Sequence, residues 1–266
     1  MYTTNYIKAS NTDEAMKSIS GAAEGMLLAG GQTLLPTMKQ RLASPDTLID
    51  LSGCGLSGIS DEVSSVKIGA MTTHASVASS DLVSKSISAV AVLAGGIGDR
   101  QVRNCGTIGG SVANNDPAAC YPAAVCALGG TIHSSKRDIA AADYFTGMFE
   151  TALDDGEIIL AISLPKPDKA AYIKFPNPAS RYAMVGVFLA CFGNEVRVAV
   201  TGAGKDGVFR ATELEKALSA NFSSEAIDGI SIAADALMSD IHASADYRAS
   251  LILEMTKRAV NSCKAT

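Results

Sequence analysis

Two short segments of this chain carry residue types suited to holding an anionic ligand. "AGGQTLLP" at 29–36 and "TIGGS" at 107–111 each follow apolar sequence, set two glycines side by side and add a hydroxyl or amide side chain. Glycine reaches φ > 0 and lacks a Cβ, so backbone N–H groups there can come close to a ligand. Successive N–H groups in such a turn form an anion-binding nest, and a helix starting behind it adds a favourable dipole. A diphosphate needs that kind of cradle. Neither segment is the dinucleotide fingerprint GxGxxG or the Walker pattern GxxxxGK[ST], and a lone Gly-Gly pair is more often a plain turn. Two such pairs in one chain point to a nucleotide cofactor held from both sides.

Other chemistry is scarce. The six cysteines (Cys54, Cys105, Cys120, Cys126, Cys191, Cys263) are scattered, with no CxxC pair and no Cys/His cluster of zinc spacing. They read as free thiols in a reducing compartment. Three histidines (His74, His133, His242) are too few for a protein-built metal site to be expected, and no nucleophile–base pair stands out. His74 in "TTHAS" reads as a helix-start residue, with contact to a cofactor or partner as the alternative. The expectation is therefore no catalytic residue and no metal ligand on this chain.

The elements that must position the glycine segments follow from composition and pattern. At 266 residues, 47% hydrophobic and 18% charged, the chain has material for one large or two modest packed domains. A net charge of −5 argues against the basic face of a dedicated nucleic-acid binder. No apolar run nears the roughly 18 residues that span a bilayer, and "MYTTNYIKAS" lacks a signal-peptide pattern. A cytoplasmic location is expected, with the inner face of the membrane as an option.

Strand and helix alternate at the start: a strand in "YTTNYIKA", a helix "TDEAMKSIS" capped by Asn11 and Glu14 and ended at Gly21, a strand "EGMLLAG" and a helix "LLPTMKQRL". Paired strands "LSGIS" and "SVKIGAM", a helix "THASVASSDLV", a buried helix "SISAVAVLAGGI", a helix "PAAVCALGG" and strands "GTIHSS" and "EIILAISLP" follow. "KPDKAAYIKFPNPASRY" has the composition of a connection. "AMVGVFLACF", Gly193-Asn194 and "EVRVAVTGA" read as a hairpin. Helical patterns close the chain at 211–219 and 245–262, where Tyr247, Leu251 and Met255 share one face. Three subregions result: 1–52, 53–165 and 170–266.

In this order and spacing, "LLAGGQTLLPTMKQRL", "IGAMTTHASVASS", "GGIGDRQVRNCGTIGGSVANNDPAACYPAAV" and "FPNPASRYAMVGVF" resemble the FAD-binding medium subunit of molybdenum hydroxylases, the carbon monoxide dehydrogenase and xanthine dehydrogenase type. The tail "DIHASADYRASLILEMTKRAV" resembles the end of the same family's C-terminal domain. The resemblance implies an α+β fold: a two-part FAD-binding domain of the vanillyl-alcohol-oxidase (PCMH-like) type, then a smaller C-terminal domain with an antiparallel sheet and helices.

By position, it implies that Ala29, Gly30, Gly31, Gln32 and Thr33, with Leu34 and Leu35 behind them, hold the FAD diphosphate from one side. Thr107, Ile108, Gly109, Gly110 and Ser111 would hold it from the other. Ile97 and Ile159 match cofactor-contacting positions, Lys174 lies where a relative's lysine approaches the flavin, and Tyr182 matches a tyrosine covering one face of the isoalloxazine. Cys120 stands where relatives often carry an acid near the ribityl chain, with Asp116 the nearest acid here, and Cys105 stands where many carry arginine or another large residue.

The implied role is that of an oxidoreductase subunit that passes electrons from two [2Fe–2S] clusters through FAD to an external acceptor. A small iron–sulfur subunit and a large molybdopterin subunit would be the partners, as a dimer of heterotrimers. A benzoyl-CoA-reductase-type flavin subunit is disfavoured, because 107–165 holds only Cys120 and Cys126 and no inserted loop. A stand-alone flavin oxidoreductase and a flavin-free docking scaffold remain as alternatives.

Overall fold

The computed structural model describes residues 1–265. Its first unit comprises β1 (Asn5–Lys8), α1 (Thr12–Gly21), β2 (Gly25–Leu28), α2 (Leu34–Lys39) and β3 (Thr47–Asp50). The strands form a parallel sheet in the order β1-β3-β2. The central strand, "TLID", is buried at every position and needs the two crossovers, which is why local pattern alone did not reveal it. Asn11 caps α1 as expected, its Oδ1 accepting from the Glu14 N–H at 2.9 Å. Glu14 reaches back to the Ser10 N–H, one residue earlier than a standard capping box.

The second unit opens with β4 (Ile59–Asp61) and β5 (Ser65–Gly69). Six helices follow: α3 (His74–Ala78), α4 (Asp81–Ser86), α5 (Ser88–Gly95), α6 (Arg100–Cys105), α7 (Ile108–Asn114) and α8 (Tyr121–Leu128). Then come β6 (Thr131–Ser134), β7 (Asp138–Ala140), α9 (Ala141–Tyr144), β8 (Phe145–Gly147), β9 (Glu150–Thr151) and β10 (Ile159–Pro165). An antiparallel sheet runs β4-β5-β10-β6-β7, with β8 and β9 as a separate hairpin. The single helix expected over "THASVASSDLV" is two, because the Ser80 hydroxyl caps a new start by accepting from Val83 N–H. The second glycine segment, read as a loop, is the first turn of α7, with Thr107 as its N-cap.

The third unit is the antiparallel sheet of β11 (Lys169–Pro176), β12 (Ala183–Phe192), β13 (Glu195–Gly204) and β14 (Gly207–Arg210), with α10 (Thr212–Ala220) and α11 (Ala245–Ala265). The stretch read as a connection contains β11, an edge strand paired with β12 from Lys169 to Pro176. The hairpin through Gly193-Asn194 is present, with Gly193 at φ +58°. β12 reads as unbroken apolar sequence because both its faces are covered. Phe188 and Ala190 join the core that holds α5 and α8, while Val185, Val187 and Leu189 join Leu214, Ile252 and Met255 of the closing helices. Leu251 and Met255 are buried as their spacing predicts, whereas Tyr247 sits at the margin, edge-on to Phe175. Among the described residues no helix is long and apolar enough to cross a membrane.

Candidate functional site

A cleft of about 820 Å³ lies where the three units meet. That is within the roughly 300–1,000 Å³ usual for a ligand site. The turn after β2 forms one wall, and α7 with the segment 116–120 forms another. Ile97, Ile159, Lys174 and Tyr182 complete it from separate elements. Of the residues expected to contact a cofactor, Ala29, Gly30, Gly31, Gln32, Thr33, Leu34, Thr107, Gly109, Gly110, Ser111 and Cys120 also line this cleft. Leu35 and Ile108 do not. Ile108 is fully buried in the core behind α7, and the Leu35 side chain packs beneath Gly31.

The two glycine segments touch. A Cβ on Gly30 would lie 2.2 Å from the Cys105 carbonyl oxygen, so only glycine lets the first turn rest against the α6–α7 junction. Gly109 is equally confined, with Ala70 Cβ 2.5 Å from where its own would be. A Cβ on Gly110 would point toward Ala29, 3.4 Å away. The bridge between Thr73 and Thr107 ties the same junction to the start of α3.

The two sides nonetheless differ in what they offer. Among the described residues the N–H groups of Gly30, Gly31, Gln32 and Thr33 have no partner. Gly31 at φ +67° turns the chain so that these donors fall in one short run. On the opposite side the amides are taken. Ile108 N–H donates to Thr72 O at 3.1 Å, Gly109 N–H to Ala70 O at 2.9 Å, Gly110 N–H to Thr107 Oγ1 at 3.1 Å and Ser111 N–H to Thr107 O at 3.0 Å. Unpaired backbone amides of the kind a nest presents are therefore found on the first segment only. The second contributes close approach and the hydroxyls of Thr107 and Ser111.

Four titratable groups on the lining are perturbed. Burial of Glu157 is outweighed by hydrogen bonds from Ser134 and the Asp154 N–H and by the Arg137 charge, so its pKa is lowered. His74 is buried beside Tyr121, at 5.4 Å between ring centroids, and its Nδ1 has no partner. Burial first, and the Arg103 charge second, lower its pKa from 6.5 to about 4, so the ring is neutral. Asp116 is shifted the other way, raised by burial, while the Ala118 N–H donating to it opposes the rise. Tyr182 is 48% exposed, yet its phenol is raised by burial, then by the charge of Asp116 and by Cys120. It is thus a partly exposed member of the lining.

Lys174 is on the lining, but its three donors are engaged: Gly96 O at 2.6 Å, Arg181 O at 3.2 Å and Cys120 Sγ at 3.7 Å. Sequence reasoning missed most of the α6 side of the cleft, including Asp99, Val102 and Gly106. The one available signal was Asp99 as an N-cap, whose Oδ1 accepts from the Val102 N–H.

The cleft fits a dinucleotide cofactor on three counts: a run of unpaired amides, flanking hydroxyls and a lining of mixed polar and apolar residues. The comparisons with known proteins agree. Residues 2–167 match the family described as "FAD binding domain in molybdopterin dehydrogenase", and residues 170–263 match "CO dehydrogenase flavoprotein C-terminal domain". The glyceraldehyde dehydrogenase medium chain of Sulfolobus acidocaldarius is 37% identical over 223 residues, covering 80% of this chain and 79% of that one. The nicotine 6-hydroxylase medium subunit of Paenarthrobacter nicotinovorans is 33% identical, covering 96% of this chain and 95% of that one. A solved carbon monoxide dehydrogenase from Hydrogenophaga pseudoflava, in a form lacking the Mo-pyranopterin moiety, superposes with a TM-score of 0.90 at 33% identity, covering 99% of this chain and 98% of that one. The chain belongs to the FAD-binding subunits of the molybdopterin dehydrogenases, an oxidoreductase family.

Proposed function

We propose that this chain holds FAD in the cleft and serves as the electron-outlet subunit of a molybdenum hydroxylase. The observation that carries the reading is the run of unpaired amides from Gly30 to Thr33 on the lining of a cleft of about 820 Å³. Those amides would hold the diphosphate, with Thr107 and Ser111 hydroxyls opposite, and Ile97 and Ile159 would pack on the apolar parts. Amide and hydroxyl donors to a diphosphate are charge-assisted, worth about 1.5–3 kcal/mol each. Bound FAD would supply a carrier that takes electrons singly or in pairs, which joins one-electron clusters to a two-electron acceptor.

In this reading a small subunit with two [2Fe–2S] clusters and a large molybdopterin subunit complete a heterotrimer that pairs into a dimer. The FAD unit spans 1–52 and 53–165, and residues 170–266 close it. Glyceraldehyde, nicotine and carbon monoxide appear in the names of its relatives, so substrate choice is assigned to the large subunit. The test is direct: purify the chain, add FAD, remove the excess and record the visible spectrum. A bound yellow chromophore is expected. A colourless protein would defeat the proposal, and failure to co-purify with molybdenum and iron–sulfur subunits from its source would defeat the assembly.

A further inference from the structure

The turn at 177–182 is shaped from within. Asn177 Oδ1 accepts from the Ala179 and Ser180 N–H groups at 2.9 and 3.2 Å, Arg181 N–H donates to Asn177 O at 2.8 Å, and Asn177 N–H donates to Tyr182 O at 2.8 Å. Arg181 is held at φ +62°, a left-handed conformation that a non-glycine residue adopts only when its surroundings impose it. All these bonds are local, so they set the turn's shape and leave its position over the cleft undetermined. Lys174 supplies the position. Its ammonium bridges Arg181 O to Gly96 O, the carbonyl capping the C-terminus of α5, where a cation is favoured by the helix dipole. Cys120 Sγ, on the far wall, is the third acceptor.

We infer that Lys174 is a positioning residue: it ties the turn carrying Tyr182 to the FAD-binding unit and so sets how far a group in the cleft is screened from solvent and from a small external oxidant. Three donors meet three acceptors from three separate segments, which leaves the ammonium none for a cofactor. The screening role rests on the function proposed above; the tether itself does not.

Hydrogen exchange on the full chain reads the tether without any cofactor. In Lys174→Met the amides of Arg181 and Tyr182 should exchange about a hundredfold faster, the loss expected for charge-assisted bonds to two carbonyls. Those of β12 and β13 beyond the turn should be unchanged, and Lys174→Arg, which keeps the cation, should lie between. If Lys174→Met does not fold, Lys174→Gln, which retains N–H donors without the charge, is read the same way. Unchanged exchange at Arg181 and Tyr182 would overturn the tether.

With FAD loaded, iodide quenching of the flavin fluorescence should rise in parallel with exchange across the series. Faster exchange with constant quenching would overturn the screening role. Faster exchange in a chain that takes up no FAD would uphold the tether and defeat the functional reading instead.

Discussion

Replacing Gly30 by alanine adds one methyl group at the tightest point of the cleft. That Cβ would sit 2.2 Å from the Cys105 carbonyl oxygen and 2.7 Å from both the Cys105 carbonyl carbon and Gly106 Cα. All three are backbone atoms, so no side chain can swing aside. Contacts under 3.0 Å are essentially never found for real Cβ atoms, so the turn and the α6–α7 junction must separate by about 0.8 Å at least. Overpacking of this kind costs about 1–3 kcal/mol. The larger effect falls on the ligand, because the displaced segment carries the unpaired amides. Misaligning two charge-assisted hydrogen bonds at about 1.5 kcal/mol each weakens FAD binding by about a hundredfold.

The assay is a thermal melt together with a fluorescence titration of FAD. Gly21→Ala is the matched control, since a Cβ there meets nothing within 4 Å and its φ is ordinary. The control should be neutral or slightly stabilising, by up to about 1 kcal/mol. A Gly30→Ala protein with unaltered melting and FAD affinity would refute the close-approach argument.

Gly110→Ala should cost little, since its Cβ would sit 3.0 Å from Thr107 Oγ1 and 3.4 Å from Ala29 Cβ, whereas Gly110→Val should abolish measurable FAD uptake in titration while the circular dichroism stays native. His74 is neutral in the folded chain down to about pH 4 but titrates near 6.5 when unfolded, so the unfolded state binds the extra proton between those values. Folding stability should be full above pH 6.5 and fall by roughly 3 kcal/mol as pH drops to about 4, and denaturant titrations of His74→Gln should lack that decline. Arg248 is buried and donates to Met184 O at 2.7 Å, Gly202 O at 2.5 Å and Asp240 Oδ2 at 2.7 Å; Arg248→Met should destabilise the chain by about 3 kcal/mol in urea unfolding.

The long, strongly patterned elements were legible in the sequence: α1 with its Asn11 cap, the β12–β13 hairpin, and α11 with Leu251 and Met255 inward. Short elements whose identity depends on distant partners were not. β3 is defined by two parallel neighbours, and β11 carries Lys169 and Lys174 and ends in Pro176 because it lies at an edge. α7 contains Gly109 and Gly110, poor helix formers, and Gly109 is kept because Ala70 crowds it. At the site, the glycine pairs marked the right places, but pairing of the 108–111 amides depends on Thr72 and Ala70 from an earlier segment. No local pattern could show that. Nor could it show that Lys174 meets Gly96, 78 residues away in sequence.

The contacts between β13 and the segment 116–120 bear on how such subunits can be rebuilt. Gly202 N–H donates to Pro117 O at 2.7 Å, and the Thr201 hydroxyl lies 2.9 Å from Pro117 O and 2.6 Å from Ala119 O. Tyr172, Phe188, Ala190 and Ala199 fill the same core as α5 and α8. The two stretches matched by separate families thus share one interior and one wall of the cleft, and the chain crosses between them near residue 168. A chimaera spliced at that crossing would inherit half a wall from each parent. Relatives can trade these halves only if the residues on both sides of the seam travel together, so the crossing marks a boundary in sequence but not a heritable module.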